Sequence, residues 1–78
     1  LNDAQYIRQV TQYPLLRIFE FSARGLKIWV AWTPDYNVPY TITLPAGTTR
    51  VLDKYGNIIQ PVGGQLLVSS PVYIEMTP

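Results

Sequence analysis

The chain has 78 residues with six Lys+Arg against five Asp+Glu, and it contains no histidine and no cysteine. Those absences exclude Ser-His-Asp and Cys-His catalysis, imidazole and thiolate metal sites, disulfides and thiol redox chemistry. A net charge of +1 with scattered basic residues gives no electrostatic footprint for nucleic acid, and the length fits one domain held by its 47% of hydrophobic residues.

Residues 1–14 read as a lead-in or the end of a preceding element. Asn2 or Asp3 can cap a short helix with Ala4, Ile7 and Val10 at helical spacing, ending by Pro14. Tyr6, Arg8, Val10 and Gln12 also read as one side of a strand. Leu1 in place of an initiator Met predicts a piece of a longer polypeptide, without a signal peptide of its own.

From residue 15 to 78 the period is two, the pattern of one β domain. Leu15–Ser22, Leu26–Trp32, Tyr40–Leu44, Thr49–Asp53, Gln65–Ser69 and Val72–Met76 are rich in β-branched and aromatic residues, with Ile58 and Ile59 in one more short strand. Turn chemistry separates them at Arg24-Gly25, Thr33-Pro34-Asp35, Pro45-Ala46-Gly47, Tyr55-Gly56-Asn57, Pro61 to Gly64 and Ser70-Pro71. About seven short strands at this spacing predict an all-β fold, a small antiparallel, Ig-like β-sandwich. No apolar run approaches the ~20 residues that span a bilayer as a helix.

The first hairpin can be registered by argument. A two-residue turn at Arg24-Gly25 sets Phe21 against Ile28, Phe19 against Val30 and Arg17 against Trp32. Phe19, Phe21, Ile28, Val30 and Trp32 then share a face and are expected in the core. Ile18, Glu20, Ser22, Lys27, Trp29 and Ala31 are expected outside, with Glu20 pairing Lys27 or an arginine. In the later strands Tyr40, Ile42 and Leu44 line one face, and Val72, Ile74 and Met76 alternate with Tyr73 and Glu75.

The five carboxylates, Asp3, Glu20, Asp35, Asp53 and Glu75, come first among catalytic candidates, because a pair of Asp or Glu can carry out glycoside hydrolysis without any other residue type. A domain this small has little room for the cleft such a pair needs, so no catalytic residue is assigned. Calcium would need oxygen ligands from Asp35, Asp53 and loop carbonyls, but no Asp-x-Asp loop is present. Asp53 reads instead as a turn residue bonded to local backbone, with Gly56 and Asn57 in left-handed positions. No metal or cofactor is expected. The aromatics are the informative set. Trp29, with Ile18 beside it, is the expected interface, and Trp29, Tyr36 and Tyr40 are the candidates for stacking on sugar rings.

Several segments taken together carry a resemblance: Leu26 to Thr33, Ile42-Thr43-Leu44-Pro45, Val51-Leu52-Asp53-Lys54-Tyr55-Gly56-Asn57 and Ser70-Pro71-Val72-Tyr73-Ile74-Glu75. In order and spacing, over about residues 15 to 77, they resemble the small C-terminal β-sandwich that follows the catalytic (β/α)8 barrel of bacterial glycoside hydrolases. The resemblance implies a non-catalytic accessory domain that packs against its neighbouring catalytic domain, in a secreted or cell-surface parent. A carbohydrate-binding module taking polysaccharide is the alternative, and an Ig-like adhesion module a third.

Overall fold

The computed structural model describes residues 4–34 and 39–77. Eight strands follow in order: β1 (Gln5–Val10), β2 (Arg17–Ala23), β3 (Leu26–Trp32), β4 (Tyr40–Thr43), β5 (Thr48–Asp53), β6 (Ile58–Ile59), β7 (Gln65–Val68) and β8 (Val72–Met76). All pairings are antiparallel, and they form a six-stranded sheet in the order β1-β2-β3-β8-β5-β6 and a two-stranded sheet of β4 and β7. The fold is therefore all-β and sandwich-like, as the period-two pattern predicts, with no helix among the described residues.

The short N-terminal helix is not formed. Residues 5–10 are the edge strand β1, paired with β2 through a register shift between Tyr6 and Arg8. Tertiary pairing overrides a weak local capping signal here, because strand geometry buries Val10 and sets Tyr6 against Phe19 and Phe21.

Turn residues fix the registers. Arg24 and Gly25 both take positive φ, 53° and 76°, which the two-residue hairpin turn between β2 and β3 demands. The resulting pairs, Phe21 with Ile28, Phe19 with Val30 and Arg17 with Trp32, are those expected. Gly63 and Gly64 repeat the device, at 61° and 74°, in the turn closed by Val62 and Gln65.

The two-stranded sheet covers one face of the large sheet. Ile42, Leu66 and Val68 from the small sheet meet Val10, Ile18, Trp29, Ala31, Val51, Val72, Ile74 and Met76 in one core cluster. Tyr13, Tyr40, Leu44 and Ile59 pack against its border. Ile18 and Ile74 are fully buried at 0% exposure, and burial of such a side chain contributes about 1.5–3 kcal/mol.

The register of the first hairpin is as expected, but its faces are inverted. Ile18, Glu20, Trp29 and Ala31 point into the core, whereas Phe19, Phe21, Val30 and Trp32 are only half-buried on the other side of the sheet. Ile28 is buried on that second side. The inversion has a physical cause in Glu20. Its Oε1 accepts a hydrogen bond from Trp29 Nε1 at 3.0 Å and another from Arg8 Nη2 at 3.3 Å. A glutamate on the apolar face is thereby satisfied, and the indole N–H gains the acceptor that a buried tryptophan requires.

Candidate functional site

The feature that stands out is the face of the six-stranded sheet that the small sheet leaves bare. Cross-strand partners share a face, so the registers place Gln9, Phe19, Val30, Tyr73, Leu52 and Ile58 in one row across all six strands. Beside it runs a second row of Tyr6, Phe21, Ile28, Glu75 and Arg50. Trp32 lies beyond Val30, opposite Arg17. At about 4.8 Å per strand, the first row is about 24 Å long. A solvated sheet face alternates with the core as polar against apolar, but this one is apolar and aromatic over most of its extent.

The rings on this face pack on each other. Tyr6 meets Phe21 edge-on at 5.7 Å and Phe19 at 6.1 Å, and Phe19 meets Trp32 at 5.4 Å with the planes tilted 35°. Such contacts hold the aromatics in place as a cluster. They also turn ring edges toward neighbours, so the rings do not form the coplanar series that stacking along a sugar chain uses.

Polar groups on this face are few and placed at its margins. Arg50 Nε donates to Glu75 Oε1 at 2.9 Å and Arg50 Nη2 to Glu75 Oε2 at 3.1 Å, a two-point pair. That carboxylate holds the Arg50 guanidinium above its ordinary value, first through the hydrogen bonds and then through charge attraction. A cleft of about 540 Å³ beside it is lined by strand residues such as Thr49 and Ile58 and by loop residues such as Pro45 and Gly63. Its charged side chain, Arg50, is already taken up by Glu75.

Among the described residues the expected site residues form no common surface. Ile18 and Trp29 lie in the core at 0% and 5% exposure and so form no surface. Both faces of the hairpin carry large apolar side chains, and the polar residues Ser22 and Lys27 beside Trp29 suggest an outer face. Those two lie near the turn, Ser22 exposed and Lys27 half-buried opposite the core residue Met76. Tyr40 is half-buried at the core border, edge-on to Tyr13 at 6.5 Å. Tyr36, like Asp35 and Asn37, lies outside the described residues. Sequence reasoning misplaces Phe19, Phe21 and Trp32 by assigning them to the core. A signal for their true position is present: two apolar faces on one hairpin cannot both be covered by a small second layer.

Glu20, expected to pair with Lys27 or an arginine on an outer face, pairs with an arginine, Arg8, on the inner side. Asp53 behaves as expected, its Oδ1 accepting the backbone N–H groups of Tyr55 and Asn57 at 2.8 and 2.9 Å. Gly56 takes the left-handed conformation there, at φ 87°, whereas Asn57 does not. The Asn57 N–H, before the smaller contributions of its neighbours, holds the Asp53 carboxyl below its usual 3.8. Among the described residues no three His, Cys, Asp or Glu side chains gather as a metal site, and no helix is long and apolar enough to cross a membrane. In comparisons with known proteins, no family, no curated protein and no solved structure matches this chain.

Proposed function

We propose that the chain is a non-catalytic accessory domain that packs on a neighbouring domain of a larger polypeptide through the bare face of its six-stranded sheet. The observation that carries this reading is the apolar row Phe19, Val30, Tyr73, Leu52 and Ile58, flanked by Tyr6, Phe21, Ile28 and Trp32 and left uncovered by the small sheet. A contiguous apolar surface of this kind is the usual mark of a protein contact. The sequence resemblance to the sandwich domains behind glycosidase barrels supports a bacterial glycoside hydrolase as the parent, secreted or on the cell surface. Its role is then to stabilise or orient the catalytic domain. Binding of polysaccharide is the weaker reading, because the rings lean on each other and few hydrogen-bonding side chains stand among them.

Hydroxyl-radical footprinting with mass spectrometry tests this directly. Side-chain oxidation is compared between the 78-residue chain alone and the intact polypeptide that carries it. Trp32, Phe19, Phe21 and Tyr6 should be protected in the intact polypeptide. Buried Trp29 should stay unreactive and Tyr55, 78% exposed, should react in both. Equal oxidation of Trp32 in the two forms would overturn the reading.

A further inference from the structure

Among the described residues, three charged side chains stand on the bare face: Arg17, Arg50 and Glu75. Two of them neutralise each other in the Arg50–Glu75 pair. Arg17 is exposed, is the direct cross-strand partner of Trp32, and makes no ion pair or hydrogen bond among the described residues. The face is thus aromatic with one uncompensated cation at its Trp32 margin.

That placement constrains what can cover the face. Directly opposed side chains on paired strands have Cβ atoms about 5 Å apart, so a surface that covers Trp32 also reaches Arg17. Taking a guanidinium out of water without an acceptor is costly, and its planar fork of donors is matched best by a carboxylate. We infer that the partner surface is an apolar patch of the neighbouring domain bordered by an Asp or Glu, whose carboxylate receives Arg17 through two parallel N–H···O bonds. This rests on the docking reading above and adds the chemistry of the partner. The charge pair sets the orientation of docking, while the aromatic row supplies the contact area. An acidic sugar offers the same carboxylate, but it would need exposed ring faces beside Arg17, and Phe19 leans on Trp32 instead.

The test uses the intact polypeptide with Arg17→Glu, Arg17→Lys and Arg17→Gln, again read by radical footprinting. Arg17→Glu should raise Trp32 and Phe19 oxidation by about threefold or more, since like charges then face each other. Arg17→Lys keeps the charge but loses the fork, and should give a smaller rise. In the unaltered protein, raising salt from about 0.05 M to about 0.5 M should also expose Trp32. Trp29 reports the fold; if Arg17→Glu exposes it as well, the neutral Arg17→Gln carries the test with the same sign. Trp32 protection that survives both Arg17→Glu and Arg17→Gln overturns the carboxylate partner and leaves docking standing. Trp32 unprotected in the unaltered protein overturns both. Protection that appears only on adding oligogalacturonate overturns the protein partner in favour of an acidic sugar.

Discussion

The inner and outer faces of the β2–β3 hairpin are built from alternate residues of the same two strands and are of similar apolar character. One carries Ile18, Glu20, Trp29 and Ala31, the other Phe19, Phe21, Ile28, Val30 and Trp32. The inner face contains a carboxylate, Glu20, and is nevertheless the buried one. What separates them is what covers them. Ile42, Leu66 and Val68 close over the inner face, and Arg8 and Trp29 satisfy its glutamate, whereas the aromatics outside pack on each other. The lesson is that burial follows satisfiable polar groups and an available second layer, and hydrophobicity alone does not choose between two apolar faces.

The sharpest way to break that contrast is to make the same change at adjacent positions. Ile18→Thr puts a hydroxyl in the core and removes packed methyl volume, and should cost about 3 kcal/mol or more in urea unfolding. In a domain of this size, that abolishes most of the stability. If Ile18→Thr were no worse than Phe19→Thr, the assignment of faces would be wrong. Next comes the device that lets a glutamate face the core. Glu20→Ala leaves the Trp29 indole N–H without its acceptor and should cost about 1–3 kcal/mol. Much of that loss should disappear in a Trp29→Phe background, because there is no longer an N–H to satisfy. A double-mutant cycle that shows Glu20 and Trp29 to be additive would sink the proposed coupling.

The fold class, the antiparallel pairing, the turns at Arg24-Gly25 and Gly63-Gly64 and the residue-by-residue register of the hairpin are all legible in the amino-acid sequence, because turn chemistry and period two are local signals. Which face is inside is not legible there, since the second layer comes from β4 and β7, distant along the chain. Lone charges mislead in the same way. Glu20 looks solvent-bound until β1, which local capping casts as a helix, brings Arg8 to it. For the candidate site the consequence is direct. Trp29 and Trp32 exchange roles, and the half-buried aromatic cluster of the bare face lies where the core is expected.

On the outer face, Phe19→Thr should cost only about 1 kcal/mol, since threonine suits a strand and the ring is only partly buried. Its main effect should be on docking, seen as raised oxidation of Trp32 in the intact polypeptide without any change at Trp29. Loss of Trp29 protection in this variant would mean that the outer cluster is structural rather than a contact surface.

The smallest effect is expected from the loop that pins β5 against β6. A slip of one residue there would exchange Val51, which faces the core, with Leu52, which shares the outer face with Tyr73. The loop holds its register through the Asp53 carboxylate, which accepts the N–H groups of Tyr55 and Asn57. Because those bonds lower its pKa from 3.8, the unfolded chain takes up the proton first as pH falls. The contribution is therefore complete above the unfolded value and fades as pH drops through the lower, folded one. Asp53→Asn should be less stable than the natural chain at about pH 6, and the urea midpoints should converge as pH falls below the ordinary carboxylate range and the natural chain loses its advantage. A gap that stays constant over that range would show that the side chain's shape, and not its charge, sets the turn. In either case β3 and β8 separate Glu20 on β2 from β5, so the inner-face partnership of Glu20 and Trp29 should not register the Asp53→Asn change.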